Sequence, residues 1–380
     1  SEDFEDAAGF GWTVGERSFS WPALIAAKDK EIDRLNQVYL KLLSISAVVL
    51  FPEHASFIDN HRVQIGERLV SAERILIATG AHPWFPEIPG IEHAISSDEA
   101  FYLPQLPERV VVVGGGYIAC EFAGIFNGLG SSVTQIYRGD TVLRGFDHDV
   151  RRALSAEMAA KGVNFAFGCN VAAISQQHGE LHCELEDGKI LHADQVMYAT
   201  GRVPNVRNLG LENTAVEVHA NGWIVVDEYS RTSVPHIWAV GDVTNRVNLT
   251  PVAIFEGHAF ADTEFGGRDR PVSHEFIPSA VFSQPPVGTV GYGEHDARSH
   301  YGDLDIYRAE FRPLKHTLTG RAEKSMMKLI VARTSQKVVG LHMVGADAPE
   351  IVQGFAVAVK SGLTKEQFDA TIGIHPTAAE

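Results

Sequence analysis

The 380-residue chain is poor in the features that mark secreted, membrane and nucleic-acid-binding proteins. Its three cysteines, Cys120, Cys169 and Cys183, form no paired spacing, which argues against a disulfide-stapled fold and suits a reducing compartment. Basic residues are scarce as well: 32 lysines and arginines against 48 acids leave a net charge of −16, whereas nucleic acids and anionic membranes reward positive patches. No apolar run is long enough to cross a membrane. We therefore expect a cytoplasmic protein with no nucleic-acid or membrane partner.

The chain also lacks internal repeats and low-complexity segments, so its organisation must be found from hydrophobic periodicity. With 380 residues and 45% hydrophobic composition, two to three domains with sizeable cores are expected. The chain opens with a polar loop containing GFGW. Apolar residues at helical spacing then predict a helix over residues 22–43, and short apolar runs predict strands over 47–51 and 74–78.

A second block alternates strands with helices and predicts a parallel sheet of the α/β class. The apolar run 109–113 is typical of a strand buried on both faces. After it the pattern predicts a glycine turn, a helix to residue 129, strands over 133–137, 195–199 and 237–240 and near residue 183, and a helix over 150–161. From residue 276 the pattern becomes α+β, with strands over 306–311, 326–331 and 338–345 and a helix over 350–360.

The sequence VVVVGGGYIACEFA places Gly114, Gly116 and Ala119 as G-x-G-x-x-A between a predicted strand and a predicted helix. Glycines at these positions let the backbone turn tightly and approach a pyrophosphate, which then lies at the positive end of the helix. A packing turn is the alternative interpretation, but the strand and helix on either side favour dinucleotide binding.

The end of the following strand indicates which nicotinamide is bound. An NAD site favours an acidic residue about twenty positions after the glycines, to bind the ribose 2′-hydroxyl. This chain has Tyr137 and Arg138 there, with Arg144 six residues after Arg138. Two guanidinium groups suit a 2′-phosphate, so we predict NADP(H). Solvated surface arginines remain the alternative.

Three short motifs at predicted strand ends suggest a second cofactor position. ATG occurs at residues 78–80 and 199–201, and WAVGD ends in Gly241 and Asp242, whose carboxylate could bind a ribityl hydroxyl. Leu249, Thr250 and Pro251 then begin a helix whose N-terminal dipole could stabilise a reduced flavin. Ordinary strand-end turns and a helix cap are the alternative.

The C-terminal sequence IGIHPTAAE contains a candidate acid/base pair. His375 precedes Pro376, and the carboxylate of Glu380 follows five residues after the histidine. A carboxylate that orients an imidazole and supports its charged form is what acid/base catalysis near neutral pH requires. Taken alone the pair is a weak indication, and the nucleotide-binding motifs give it weight.

Taken in order, these motifs resemble those of glutathione reductases, within the FAD-dependent pyridine nucleotide-disulfide oxidoreductases. The resemblance rests on GFGW, ATG, GGGYIACEFA, YRGDTVLRGFD, ATGRVPN, IWAVGD, LTPVA, FSQPPVGTVG, GFAVAVKSG and HPTAAE, which span nearly the whole chain. It implies a Rossmann-like NADP domain (residues 82–204) inserted in an interrupted FAD domain (1–81 and 205–275), and a dimerisation domain at 276–380. It also implies a homodimer in which NADPH reduces glutathione disulfide through FAD and a redox disulfide.

The same resemblance assigns site residues by motif. His375, paired with Glu380 and preceding a cis proline, would protonate a departing glutathione thiolate in the other subunit's active site. Tyr39 and His258 would contact the substrate. Tyr117 would cover the flavin until NADPH displaces it. The cofactor contacts would be Ala55, Thr79, Gly80, Gly114, Gly115, Gly116, Tyr117, Ile118, Glu121, Arg138, Arg144, Gly201, Arg202, Gly241, Asp242, Leu249 and Thr250.

The chain departs from the family pattern in several places. The family's first glycine fingerprint and its C-x-x-x-x-C disulfide, expected before GFGW, do not occur, so we interpret the chain as a fragment that cannot complete the reaction alone. His258 stands where some members place arginine, and Leu42 where some place an amide. A reductase of another low-molecular-weight disulfide, such as trypanothione, and a non-catalytic NADP-binding and dimerisation fragment remain alternatives. An acid in place of Tyr137 would have favoured lipoamide dehydrogenase.

Overall fold

A computed structural model describes residues 2–380 and shows an α/β arrangement with an α+β C-terminal region. The helices are α1 (Glu2–Asp6), α2 (Trp21–Ile45), α3 (Ser97–Ala100), α4 (Tyr117–Gly128), α5 (His148–Ala160), α6 (Thr250–Glu264), α7 (Glu294–Tyr301), α8 (Leu314–Thr319), α9 (Ala348–Lys360) and α10 (Lys365–Asp369). The strands are β1 (Ala55–Phe57), β2 (Arg62–Ile65), β3 (Arg68–Ser71), β4 (Ile75–Ile77), β5 (Ala81–Pro83), β6 (Arg109–Val113), β7 (Ser132–Tyr137), β8 (Asn164–Phe167), β9 (Val171–Gln177), β10 (Glu180–Leu185), β11 (Ile190–Ala193), β12 (Gln195–Tyr198), β13 (Arg202–Pro204), β14 (Ile237–Ala239), β15 (Ser279–Val281), β16 (Val287–Gly291), β17 (Leu304–Phe311), β18 (Ser325–Ala332) and β19 (Val338–Val344).

The described chain divides into two compact units. The first joins the residues up to Ile25 with Phe85–Gly201 and Glu275–Glu380, and the second joins Ala26–Trp84 with Arg202–His274. In the first unit a parallel sheet has the strand order β12-β6-β7-β8. The predicted strand at 109–113 is therefore confirmed as β6, at an interior position of the sheet.

Strand β6 is apolar because both of its faces are covered. Val110 and Val112 pack into one buried cluster, together with α4 and α5, while Val111 and Val113 pack into another. Each such side chain contributes about 1.5–3 kcal/mol relative to leaving it exposed. The second cluster is completed by an antiparallel sheet of order β11-β10-β9. The loop after β6 therefore starts from a strand whose four valines are buried.

The C-terminal part of the first unit is an antiparallel sheet of order β15-β16-β19-β18-β17, packed against α9. One lysine ties this sheet to the start of α5. The ammonium of Lys328, on β18 and 1% exposed, lies 3.0 Å from Asp147, 2.7 Å from Asp149 and 2.9 Å from Glu294. A buried charge needs such partners because isolated burial costs several kcal/mol. The predicted α+β character of this region is confirmed.

The second unit has three small sheets around its own core. Strands β1, β2 and β3 form an antiparallel meander, β5 pairs with β13, and β4 pairs in parallel with β14. The core contains Phe57, Ile77, Ile224, Ile237 and Val243. Because β4 and β14 run in the same direction, their carboxyl ends, which carry ATG and GD, lie at one edge of this sheet.

Two predictions about the early part of the chain need correction. The predicted strand at 47–51 is wrong: the segment is a turn followed by irregular chain, in which Ala47 has a φ of +55° and Val48, Val49 and Leu50 are exposed. An apolar run indicates a strand only where a partner strand pairs with it. The loop predicted at the beginning includes α1 and a 3₁₀ turn at Ala7–Phe10. Within residues 2–380, no helix has the length and apolar content to span a membrane.

Candidate active site and cofactor-binding residues

The glycine turn after β6 is shaped by close packing. Gly114 has a φ of +139°, and a Cβ there would lie 2.3 Å from the carbonyl oxygen of Ala199. A Cβ on Gly115 would lie 2.5 Å from the ring of Tyr137. Of the three glycines in this turn, Gly116 is the one at which a Cβ would lie in open space, so it leaves room for a ligand before α4. The first two glycines thus bring the turn against its neighbours, and the third keeps its outer side open.

Hydrogen bonds fix this turn, and α4 begins after it without a side-chain cap from Gly116. The buried Gln135 donates from Nε2 to the carbonyl of Gly114 at 2.9 Å, and Leu143 N–H donates to the carbonyl of Gly115 at 2.6 Å. Gly116 is the N-cap of α4 and cannot cap the helix with a side chain. The uncapped N–H groups and the helix dipole together favour an anion at this position.

The loop between β7 and α5 presents two cations, and β7 is a neighbour of β6 in the sheet. Arg138 and Arg144 are both exposed, and no carboxylate among residues 2–380 lies within ion-pair distance of either one. By contrast, Arg151 holds the loop backbone by donating to the carbonyls of Val142 at 2.9 Å and Thr141 at 3.1 Å. The loop is therefore held in place while two guanidinium groups remain available for a phosphate.

The predicted nucleotide contacts on α4 have different surroundings. Tyr117, the first residue of the helix, is 39% exposed, and Ile118 packs partly into the core. The carboxylate of Glu121 accepts a hydrogen bond from the backbone N–H of Phe282 at 2.9 Å, and burial raises its pKa above the usual value. The Glu121 carboxylate therefore already accepts a hydrogen bond within the protein, and a bound nucleotide would have to share this carboxylate with Phe282 N–H.

The second unit brings the ATG and GD motifs to one sheet edge. Val240 N–H donates to the carbonyl of Ile77 at 3.0 Å, which joins the two strand ends. Gly80, with a φ of +70°, accepts a hydrogen bond from Asn205 N–H at 2.8 Å. Other predicted contacts in this unit are Ala55 at the start of β1, Thr79 after β4, Arg202, whose guanidinium donates to the carbonyl of Ala81, and Asp242 beside Gly241.

Helix α6 begins as the LTP motif predicts. Leu249 is its extended N-cap, makes no side-chain cap, and is followed by Thr250 and Pro251 in the first turn. The preceding Asn248 has a buried Oδ1 without a hydrogen-bond partner among the described residues. A free acceptor beside an uncapped helix start fits a polar ligand such as the flavin that the resemblance implies.

The residue that holds the turn at Gly241 and Asp242 could not be identified from the sequence. Glu256 on α6 is 1% exposed, and its carboxylate accepts from Gly241 N–H and His274 Nε2, each at 2.7 Å. It also pairs with Arg246 at 2.9 Å. The partners lie 10 to 18 residues away, so no local motif announces them. The only signal was an acid within an otherwise apolar segment of α6.

The predicted acid/base pair is formed. His375 Nδ1 lies 3.0 Å from Glu380 Oε2, and the His375–Pro376 peptide is cis, as expected. The histidine side chain is 80% exposed, so the pair is accessible within this chain. Tyr39 on α2 and His258 on α6 are exposed too. The described chain brings no other predicted site residue into hydrogen-bond contact with His375.

The three cysteines do not form a redox pair. Burial raises the pKa of Cys120 and of Cys183 to about 12, and it raises that of Cys169 as well. All three cysteines are free, and their raised pKa values disfavour thiolate chemistry near neutral pH.

Comparison with known proteins gives one consistent result. A model of the pyridine nucleotide-disulphide oxidoreductases matches residues 2–257, and a model of the family's dimerisation domain matches residues 277–380. The chain is 53% identical over 379 residues to a glutathione reductase of Burkholderia cepacia, covering 100% of this chain and 84% of the relative. It is 41% identical over 395 residues to a trypanothione reductase of Leishmania donovani, covering 99% and 80% respectively. The HOCl-induced flavoprotein disulfide reductase RclA from Escherichia coli has a similar structure, with a TM-score of 0.88 at 25% identity, covering 99% of this chain and 86% of that chain.

Proposed function

The chain belongs to the pyridine nucleotide-disulphide oxidoreductases, and from that premise we propose that it forms most of an NADPH-dependent glutathione-disulfide reductase. The observation that carries the proposal is the His375–Glu380 pair at 3.0 Å. When bound, FAD and NADPH would supply the electrons for disulfide reduction. The chain's own residues would bind these cofactors and move the proton.

Cofactor binding would use residues of both units. The uncapped start of α4 would bind the pyrophosphate of NADPH, and Arg138 and Arg144 would bind its 2′-phosphate. Asp242 would bind a flavin hydroxyl, and Glu256 would keep its turn in place through Gly241 N–H. Within residues 2–380 these groups are suited to NADPH and to part of a flavin, whereas the family's first glycine fingerprint does not occur in the chain.

Proton transfer would be performed by His375. In a protonated ring, Nδ1–H would donate to Glu380, which orients the imidazole and leaves Nε2–H as the transferable proton. When the disulfide of glutathione is cleaved, one half forms a bond with the enzyme sulfur and the other half departs as a thiolate. That thiolate would take the proton from Nε2, and a positioned acid of this kind contributes about 10²–10⁴ in rate.

Two further parts of the proposal concern assembly. Because the three cysteines are free and their pKa values are raised, the redox disulfide of this proposal would be formed by cysteines other than these three. The dimerisation domain and the exposed His375 support a homodimer in which His375 serves the partner's site. A cytoplasmic location belongs to the same proposal, supported by the scarcity of cysteine.

The 41% identity to a trypanothione reductase supports a second candidate substrate. The test is to measure NADPH oxidation by the full-length enzyme with glutathione disulfide and with trypanothione disulfide in parallel. We expect kcat/KM to be higher for glutathione disulfide, in keeping with the 53% identity to a glutathione reductase. A higher value for trypanothione disulfide would replace the substrate, and no NADPH oxidation with either one would refute the proposed activity.

A further inference from the structure

A cluster outside the cofactor and substrate residues gathers on the antiparallel sheet of β9, β10 and β11. His182 on β10 stands directly opposite His192 on β11 in the strand register. Glu180 precedes His182 by two residues and therefore lies on the same face of the sheet. Register and alternation thus bring two imidazoles and one carboxylate together, although the two histidines lie ten positions apart in the sequence.

The potential ligand atoms of the three side chains converge. Glu180 Oε2 lies 2.8 Å from His192 Nδ1 and 3.2 Å from His182 Nε2. All three atoms lie within 4.8 Å of one another, and the ring centroids are 4.6 Å apart. The other oxygen of the carboxylate, Oε1, is bound by the guanidinium of Arg109. One oxygen of Glu180 is therefore engaged, and the other faces both imidazoles.

We propose that Glu180, His182 and His192 form a binding site for a divalent transition-metal ion such as Zn²⁺. Zinc takes imidazole nitrogen and carboxylate oxygen at roughly 2.0–2.2 Å in tetrahedral geometry, which places ligand atoms roughly 3.3–3.5 Å apart. The separations of 2.8 and 3.2 Å between Oε2 and the two imidazole nitrogens would lengthen by a few tenths of an ångström, and the two nitrogens, which lie within 4.8 Å of each other, would come closer by side-chain rotation. The side chain of His192 is 52% exposed, so water can complete the coordination.

The charged groups around Glu180 favour the ionised form of its carboxylate. Arg109, His192 and His182 hold the pKa of Glu180 at about 2, so the carboxylate is ionised at neutral pH. Arg109 also pairs with Asp194 at 2.5 Å, and this carboxylate balances part of its positive charge. Without metal, the two imidazoles make hydrogen bonds to Glu180 Oε2, and a bound ion would take the place of these hydrogen bonds. A bound ion would join β10 to β11 and stabilise this sheet.

The test titrates Zn²⁺ into full-length, oxidised protein by isothermal calorimetry. The oxidised state is used so that a dithiol elsewhere in the protein does not bind the probe. We expect His182→Ala and His192→Ala each to lower zinc affinity at least tenfold. The matched control is His178→Gln, because His178 is exposed in the turn between β9 and β10 and takes no part in the cluster. This control should bind as wild type does.

A second measurement does not depend on substitution. One equivalent of Cu²⁺ added to the wild-type protein should give an electron paramagnetic resonance spectrum with hyperfine coupling to two imidazole nitrogens. Circular dichroism spectra of the His182→Ala, His192→Ala and His178→Gln variants should match that of the wild type, which would show that the variants are folded. The proposal is overturned if the wild type binds no zinc, or if both histidine variants bind it as tightly as the His178→Gln control.

Discussion

Replacing Arg138 and Arg144 together by glutamine should abolish most of the enzyme's preference for NADPH over NADH. Both side chains lie in the loop after β7 and have no ion-pair partner among residues 2–380, which is the reason for proposing a 2′-phosphate contact. NADH lacks that phosphate. The substitution should therefore weaken NADPH use strongly and leave NADH use almost unchanged.

The size of the effect follows from the exposure of the two arginines. A hydrogen bond to a charged group is worth about 1.5–3 kcal/mol, and the lower value applies where the group is solvated before binding. Both guanidiniums are exposed, so two contacts amount to about 3 kcal/mol. Since each 1.4 kcal/mol is a factor of ten, the ratio of kcat/KM for NADPH to that for NADH should fall roughly 100-fold.

The assay measures kcat/KM for both nucleotides with glutathione disulfide held at saturation. Arg312→Gln is the matched control, because Arg312 is an exposed arginine after β17 that has no assigned role. It should keep the wild-type ratio. If the double variant keeps that ratio as well, the two arginines do not bind the 2′-phosphate and the reasoning fails.

Two other predictions follow from buried acids and their partners. Glu256→Ala should lower FAD affinity, because Gly241 N–H and Arg246 lose their carboxylate partner, and each charged hydrogen bond is worth about 1.5–3 kcal/mol. Glu256→Gln should have an intermediate affinity. Flavin content and affinity, measured by absorbance, that are equal in wild type and both variants would exclude this role. Lys328→Met should lower the free energy of unfolding by about 3–5 kcal/mol in urea titrations, because Asp147, Asp149 and Glu294 lose their shared cation. Lys328 and Arg298 hold the pKa of Glu294 below its usual value, so its contribution to stability is present above about pH 4 and is lost as the pH falls further. The difference in unfolding free energy between wild type and Lys328→Met should therefore be largest above about pH 4 and shrink at lower pH, and a difference that stays constant with pH would contradict this.

The strongly periodic parts of the fold could be predicted from the sequence. The run at 109–113 is a buried strand, and the helix predicted at 22–43 is Trp21–Ile45. The failure at 47–51 has a physical cause: Val48, Val49 and Leu50 have the composition of a strand but are exposed and unpaired in the described chain. Local composition reports how a segment could be buried, whereas strand pairing depends on residues far along the chain.

In the candidate site as well, contacts between residues close in sequence could be predicted, and contacts between distant residues could not. The glycine turn and the His375–Glu380 pair were predictable because the residues lie within a few positions of each other. The partners of Glu256 were not, since Gly241 and His274 lie 15 and 18 residues away on either side. The Lys328 network likewise joins residues up to 181 positions apart. Such contacts depend on tertiary packing, which a single sequence does not specify by pattern.

The most direct test of the proposed disulfide reduction is stopped-flow analysis of His375→Ala in the full-length enzyme, with each half-reaction measured separately. We expect reduction of the flavin by NADPH to proceed at close to the wild-type rate, because His375 is assigned only to the departing thiolate. Reoxidation by glutathione disulfide should slow by about 10²–10⁴. Normal reoxidation in this variant, or a loss confined to flavin reduction, would contradict the role given to the His375–Glu380 pair.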